Sequence, residues 1–569
     1  MANNIDQPIG FKPEVEHMSD EMLNIEIQEV ADKANVEMQA DGSAIIGEQE
    51  NMLETTFDMN LSEVIEEAEL GKISSDLFES FEMDKSSRKD WEETYKKGLD
   101  LLGFKYQERS QPFQGASAVT HPMLSEAITQ FQAQAYKELL PPGGPVSTQI
   151  IGKVDRQREE QAQRVKDYMN YQISHNMEEY DPDMDSLLFY LPLSGSAFKK
   201  IYYDIGLDRA VAKFIPSDDL YVPYLATDIL TSERVTHSLR KSQNEIRKLQ
   251  VSGFYRDIPL QVYNEETGLQ EKESRISGIQ KTSYNNDDYD LLEMHVDLNI
   301  PGIDQEDGIK VPYIVTLDRG STKILSIYRN YKEDDPKRKK IQYFVHYKFL
   351  PGFSFYGFGL IHMLGGLSRT ATSALRQLLD AGTLSNLPAG FKARGLRVKD
   401  DDTPLQPGEF RDVDAPGGSL RDGLMPLPYK EPSQTLFQLL GFCVEAGTRF
   451  AAIADQKVGE GAAAGAPVGT TMALMERGAR VMSAIHKRLH YAQKIEFKLL
   501  AKIFAESLAP VYPYEVGDKG IQSLKAEDFS DEIDIVPVSD PNIFSMAQRV
   551  TLAQTQLQLA QADPESHNM

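Results

Sequence analysis

The residues best suited to chemistry fall in five short clusters, and each lacks a part that its chemistry requires. Gly459, Gly461, Gly465 and Gly469, framing Ala462-Ala463-Ala464, suggest a loop that could wrap phosphates. A nucleotide loop needs a Lys-Ser/Thr pair after its last glycine, because the ammonium reaches the outer phosphates. Thr470-Thr471 stands there instead, so no ATPase is expected. Gly357-Phe358-Gly359 lacks the third glycine and the acidic residue of a dinucleotide fold. Asp181, Asp183 and Asp185 have calcium-loop spacing, but Ser186 replaces the turn glycine and Pro192 the bidentate glutamate. Acids opening a helix are the expectation there. His486 and His490 lie one helical turn apart, with Lys487-Arg488 between them and no third ligand; a solvated basic face is expected. Ser194-Gly195-Ser196 lacks the flanking glycine of a nucleophile elbow. Acid, base and nucleophile do not converge, so the sequence predicts no catalytic residue, no metal, no cofactor and no enzyme.

Composition narrows the class further. With 569 residues, 41% hydrophobic and 26% charged, the chain has the make-up of a folded protein of several domain-sized units. A single cysteine, Cys443, excludes a disulfide framework and Cys-based zinc sites. Neither a run of eighteen apolar residues nor a basic-then-apolar leader is present, so neither a membrane span nor a secretion signal is expected and a cytoplasm-like compartment is. The net charge of −27 argues against a tight, sequence-independent grip on nucleic acid, which needs cations to replace phosphate counterions. Residues 1–75 hold 18 acids and only Lys12, Lys33 and Lys72, a net −15. They read as an acidic, solvated arm with short apolar patches such as Leu61, Val64, Ile65 and Leu70.

The elements that must position these clusters are mixed α+β and mainly helical. Trp91, Tyr95, Leu99 and Leu102 recur at helical spacing, and His121-Pro122 opens a helix that Pro141-Pro142-Gly143-Gly144 stops. A charged helix is predicted from Asp155 to about Met177, and a short one from about Asp183, broken at Pro192. Strands are predicted at 197–203 and 211–215, and a helix near 242–251. The alternating runs 291–299, 313–317, 324–330 and 341–349 suggest one antiparallel sheet, with the basic tip Lys337-Arg338-Lys339-Lys340 before the last. From Gly357 to about Asn386 runs a long helix loaded with small residues, among them Gly365, Gly366, Ser368, Ala371, Ser373, Ala374, Ala381 and Gly382. A turn-rich module, a second helix over 433–454, the glycine loop and a long helix to about Leu508 follow. The two helices around the module imply a stalk that brings its ends together.

That order resembles the portal proteins of short-tailed bacteriophages. Gln114-Gly115-Ala116-Ser117-Ala118-Val119-Thr120-His121-Pro122 entering a helix carries the likeness. So do Leu191-Pro192-Leu193-Ser194-Gly195-Ser196-Ala197 before a strand, and Ile215-Pro216-Ser217-Asp218-Asp219-Leu220. The likeness covers about residues 75–562. It implies a portal fold assembled as a dodecameric ring at one capsid vertex of the virion, built in the host cytoplasm. Double-stranded DNA would pass through it during packaging and ejection, and the packaging motor (terminase), tail adaptor, capsid and scaffolding proteins would be its partners, with no membrane. Twelve helices about 10 Å across leave a bore near 28 Å, enough for a duplex about 20 Å wide. Twelve copies of a −27 chain carry −324, which suits a conduit that lets phosphates slide.

Mapped by that resemblance, 1–75 is the acidic arm and 76–350 the wing. Stem helices occupy 351–387 and 433–455, flanking a clip at 388–432. A tunnel loop spans 456–470, the long wing helix and its return 471–540, and a short crown-like helix 541–569. The resemblance places Lys457, Gly459, Gly461, Ala462, Ala463, Ala464, Gly465 and Gly469 in the DNA channel. Lys392, Arg394, Arg397 and Arg411 would meet the motor or adaptor at the clip. Two other readings stand beside this one: another head-tail ring of the adaptor type, and a packaging-associated nuclease, whose cluster of metal-binding acids the sequence does not supply.

Overall fold

Apolar residues recur at Leu70, Leu77 and Phe81 with Ser74 between them, one stripe of a 3.6-residue period. In the structure, a computed structural model, that stripe is the buried face of helix α1 (Glu67–Ser87). The structure describes residues 36–38, 44–46, 56–105, 108–263, 268–278, 288–303, 308–386, 390–392, 397–398, 413–414, 424–426, 429–451, 468–508, 511–515, 521–530 and 532–538. Two compact units divide the chain: residues 1–59 with 298–311, and residues 60–297 with 312–569. In the first, β1 (Val36–Met38) pairs antiparallel with β2 (Ala44–Ile46).

The second unit holds the mixed α+β architecture, with about half of the described residues helical. Helices α2 (Lys89–Leu99), α3 (Met123–Leu139), α4 (Arg156–Tyr171) and α5 (Tyr180–Ser194) come first, with strand β3 (Val146–Ile150) between α3 and α4. Strands β4 (Ser196–Asp204) and β5 (Arg209–Ile215) form a hairpin, joined on its other edge by β11 (Phe344–Lys348). A separate five-stranded sheet has the order β10-β9-β8-β7-β6. Its strands are β6 (Leu220–Tyr221), β7 (Arg234–Ser242), β8 (Asp288–Leu298), β9 (Val311–Asp318) and β10 (Ile324–Arg329). Helix α6 (Gln243–Val251) follows β7 behind a complete capping box of Ser242 and Glu245, and α7 (Gly268–Ser277) packs on α2.

Helices α8 (Leu360–Asn386), α9 (Gln434–Ala451) and α10 (Val468–Ser507) occupy the second half. Between α8 and α9 lie four short strands, β12 (Gly390–Lys392), β13 (Arg397–Val398), β14 (Val413–Asp414) and β15 (Leu424–Pro426). They pair as β12 with β15 and β13 with β14. After α10, β16 (Val511–Glu515) pairs with β17 (Ile521–Lys525). The returning β18 (Ile533–Pro537) pairs with β3. The main core draws on α3, α4, α5, the three-stranded sheet and the C-terminal half of α10, through residues such as Phe131, Leu187, Tyr347, Leu489, Phe497 and Phe504.

Four expectations change. Residues 60–75 do not belong to a solvated arm. The Asn60 side chain donates to the Leu325 carbonyl at 3.1 Å and accepts from the Ile327 N–H at 3.0 Å, which satisfies two backbone groups on the open side of β10, an edge strand. Leu61, Ile65 and Leu70 are buried beside it. Pro192 does not break its helix: α5 begins at Tyr180, passes through Pro192 and ends two residues later, where Gly195 at φ +88° donates to the Leu191 carbonyl. A proline this near a C-terminus forfeits a single backbone bond. The run at 341–349 joins β4, with Val345 opposite Lys199, and not the sheet that holds β8–β10. Finally, α10 begins at Val468, so Gly469 and Thr470 lie in its first turn and not in a loop.

Candidate functional site

The feature that the sequence singles out, a stalk carrying a small module, is built by α8 and α9. At 1.5 Å per residue α8 is about 40 Å long and α9 about 27 Å. Gly382 faces Pro432 while Ala371 and Leu367 meet Leu440, Cys443 and Val444, so the two helices run antiparallel and the ends of the 388–432 module lie together. The expected small-residue stripe serves the chain's own packing in part. Ser368, Ala371 and Ala374 are buried, and Gly447 of α9 approaches Met123 so closely that a Cβ there would meet its sulfur.

The 114–122 segment is tied along α8 by hydrogen bonds. Asp380 accepts from the Ser117 N–H at 2.6 Å, and the Thr372 hydroxyl accepts from the His121 N–H at 3.1 Å. Arg376 donates from Nε to the Val119 carbonyl at 2.7 Å and from Nη2 to the Ala118 carbonyl at 3.1 Å. Arg109 reaches the Ser117 carbonyl at 3.1 Å and stands 4.0 Å from Asp380. These bonds position α8 against α3 and leave the far side of the stalk open.

That far side is apolar. On α9 the inward stripe is Leu440, Cys443, Val444 and Gly447, while Phe437 and Phe442 are 66% and 67% exposed and Leu439 is also exposed. Leu379 of α8 adds a fourth exposed apolar side chain. Across the 45 residues of the two helices only Arg369, Arg376, Asp380, Glu445 and Arg449 are charged. A helix apolar around most of its circumference calls for cover on more than one side, and α8 covers one stripe of α9.

Helix α10, which follows the glycine-rich stretch in sequence, is anchored by a buried polar network. Lys199 and Glu496 form a fully buried ion pair at 2.9 Å, with the Lys199 ammonium 3.9 Å from the centre of the Tyr180 ring. The Tyr347 hydroxyl donates to the other Glu496 oxygen, and burial followed by the Glu496 charge pushes the Tyr347 hydroxyl well above its usual range. Gln493 donates to the Leu139 carbonyl at 3.2 Å, and Arg488 to the Phe349 carbonyl at 3.0 Å. Lys494 and Lys498 both pair with Asp534 of β18.

The residues expected to lie in functional segments fare as follows. Lys392 closes β12 opposite Leu424, and Arg397 opens β13 opposite Asp414. Gly469 is in α10. Arg394, Arg411, Lys457, Gly459, Gly461, Ala462, Ala463, Ala464 and Gly465 lie outside the described residues, as does the helix expected over 541–569.

Of the chemical clusters, His486 and His490 are buried, not solvated. His486 Nδ1 meets Glu138, and the basic Lys487-Arg488 pair projects from other faces of the same turn. Asp181 accepts from the Tyr136 hydroxyl at 2.6 Å, Asp185 from Gln132 at 2.8 Å, and Asp183 from the Phe214 N–H at 2.8 Å. The three acids sit at the start of α5 and tie it to α3 and β5, with no side-chain cap on that helix. Ser196 is buried; its hydroxyl accepts from the Gly357 N–H at 2.8 Å and lies 3.0 Å from His346 Nε2. Burial, then Lys348, holds His346 well below its usual range, and its Nδ1 has no partner, so no acid orients it as a base. Among the described residues no group of three or more His, Cys, Asp or Glu could hold a metal ion, and no helix is long and apolar enough to cross a membrane.

Two constellations escaped the sequence. One is the Lys199–Glu496–Tyr347 network, whose members lie 148 residues and more apart along the chain. The other ties α7 to its surroundings, with Glu273 accepting from the Tyr95 hydroxyl at 3.2 Å and Gln270 donating to Asp219 at 3.1 Å. The only local signal was the apolar stripe at Ile485, Leu489 and Ala492, which shows that α10 has a buried face without showing what is opposite it. The sequence matches no family model and no curated protein.

Proposed function

We propose that this chain is one subunit of a portal-type ring, a structural conduit through which double-stranded DNA passes into and out of a capsid. The observation that carries the reading is the stalk: two antiparallel helices with five charges in 45 residues, and Phe437 and Phe442 turned away from their own chain. A neighbouring copy covers such a face when each subunit offers it to a different face of the next, the closed head-to-tail symmetry of a ring. Burying the exposed two-thirds of each phenylalanine ring would stabilise each contact by roughly 1–2 kcal/mol. The acidic balance fits a passage that does not hold phosphates, and the order of segments read from the sequence resembles that of portal proteins. The chain hydrolyses no nucleotide in this reading; a separate motor does.

The test is the state of the purified full-length chain by mass photometry and negative-stain imaging. A closed ring with a central hole wide enough for a duplex is expected. Phe437→Glu with Phe442→Glu should yield a folded species of unchanged far-ultraviolet dichroism that no longer closes into rings. A wild-type chain that stays monomeric at high concentration, or a particle without an aperture, overturns the proposal. Deleting Ala462–Ala464 should leave rings intact and impair DNA packaging or retention.

A further inference from the structure

Opposite its buried histidines, α10 carries charge of one sign on its outward face. Between residues 484 and 502 its exposed positions are Ala484, Lys487, Tyr491, Lys498 and Lys502, with Lys494 half-buried beside them. At about 100° per residue, Lys487, Tyr491, Lys494, Lys498 and Lys502 fall within an arc of about 80°. Lys494, Lys498 and Lys502 follow one another at about 6 Å along the axis, and Lys487 to Lys502 spans about 22 Å. Glu496 lies outside that arc, turned inward to Lys199, and Glu506 near the end of the helix pairs with Lys332. From other elements, Asp534 of β18 meets the stripe and is shared by Lys494 and Lys498. Among the described residues Lys487 and Lys502 form no ion pair. A chain of net charge −27 thus gathers four ammoniums along one line against one balancing carboxylate. Like charges at i,i+4 destabilise a helix, so the stability of α10 gives no reason for the arrangement.

We propose that this face of α10, from Lys487 to Lys502, is a contact site for the phosphate backbone of double-stranded DNA. Ammoniums act on phosphates as point charges and release their condensed counterions, and a tyrosine hydroxyl such as that of Tyr491 donates to a phosphate oxygen. Phosphates of one strand recur about every 3.4 Å along the duplex axis, so the stripe runs past about six of them. A protein partner calls for an apolar centre ringed by polar groups, whereas the exposed positions here offer one tyrosine among cations. Single-stranded nucleic acid calls for several aromatic rings on which its bases stack. The acidic balance of the rest of the chain repels phosphates, which confines the contact to the stripe and keeps it weak and salt-dependent. One copy of the chain suffices for the site, which does not rest on ring closure.

Fluorescence anisotropy of a labelled, random-sequence duplex of about 12 base pairs, roughly 40 Å long, tests this with the full-length chain from about 25 to about 200 mM salt. In the wild type, log K should fall against log salt with a slope of about −3.6, or about 0.9 for each of the four lysines. Lys487→Gln with Lys502→Gln should weaken binding and bring the slope to about −1.8. Lys213→Gln with Lys248→Gln, at exposed positions of β5 and α6, removes the same charge elsewhere and should leave the slope unchanged. An unchanged slope in the Lys487→Gln, Lys502→Gln chain, or an equal loss in the control pair, overturns the site. A wild type that binds poly-glutamate and no duplex overturns it in favour of an acidic protein partner. All four substitutions are at exposed positions that leave the core untouched. The assay reads a monomer as well as a ring, so this site and the ring reading can fail separately.

Discussion

Replacing Lys199 by methionine should be among the most damaging single changes to this chain, although it exchanges a charged side chain for an apolar one of similar length. Lys199 and Glu496 are both fully buried, with 2.9 Å between the ammonium and the carboxylate. The methionine would leave a carboxylate in the core with only the Tyr347 hydroxyl to answer it. Breaking a buried pair in this way costs about 3–5 kcal/mol. A second route gives the same size: a lone buried carboxylate can escape by binding a proton, which at pH 7 costs about 3.5 kcal/mol from the ordinary carboxyl range. The penalty should therefore shrink by about 1.4 kcal/mol for each unit that pH is lowered from 7 towards 5. Urea unfolding followed by the fluorescence of Trp91, the only tryptophan, measures it. Lys199→Met with Glu496→Leu should be more stable than Lys199→Met alone, short of wild type by the roughly 1–3 kcal/mol of leaving the Tyr347 hydroxyl unpartnered. A single variant within about 1 kcal/mol of wild type, or a double variant at the sum of its parts, would refute the argument that this pair is desolvated and coupled.

Other outcomes follow from backbone and titration. Gly195→Ala should prevent soluble expression or strongly lower the unfolding midpoint, because its φ is +88° and the new Cβ would stand 2.4–2.5 Å from the backbone of Gly357 and Phe358. Gly366→Ala, where a Cβ meets nothing within 4 Å, is the control and should unfold at or slightly above the wild-type midpoint. Burial, then Lys200, holds His237 down to about 3. A histidine depressed in the folded state contributes stability that is intact above its ordinary value near 6.5 and is lost as pH falls towards 3. Acid unfolding should accordingly steepen below pH 6.5, and His237→Phe should remove about one proton's slope, read from urea midpoints at pH 4 to 6.5.

What the sequence disclosed and what it hid separate along a physical line. Short-range chemistry was legible. The helix near 242–251, the helix from Asp155 and the strands at 197–203 and 211–215 are all present, because the caps and periodicities that mark such elements act on neighbours in sequence; that the two strands pair as a hairpin came only with the structure. The stalk was legible too, since apolar periodicity reports a helix whatever it packs against. Partners were not. The run at 341–349 alternates as a strand should, and nothing in its pattern chooses between β4 and the five-stranded sheet. His486 and His490 were misjudged from Lys487 and Arg488, although adjacent helical residues lie about 100° apart and say little about one another's face.

The glycines show the same division at its sharpest. Gly195 and the Gly357-Phe358-Gly359 run looked like remnants of a nucleophile elbow and a nucleotide turn. In the fold they are two halves of one contact. A Cβ on Gly357 would meet the Gly195 carbonyl at 2.4 Å, and one on Gly359 the Leu193 carbonyl at 2.3 Å. The turn that ends α5 thus seats main chain to main chain against the turn that begins α8, sealed by the Ser196 hydroxyl on the Gly357 N–H. Small residues at this crossing are required by distance, not by catalysis. The same crossing carries the stalk directly from the core, through Leu360, Ile361 and Leu364, and further along α8 the 114–122 segment is bonded to Thr372, Arg376 and Asp380. In the ring reading proposed above, a neighbouring copy would supply the cover that Phe437 and Phe442 lack.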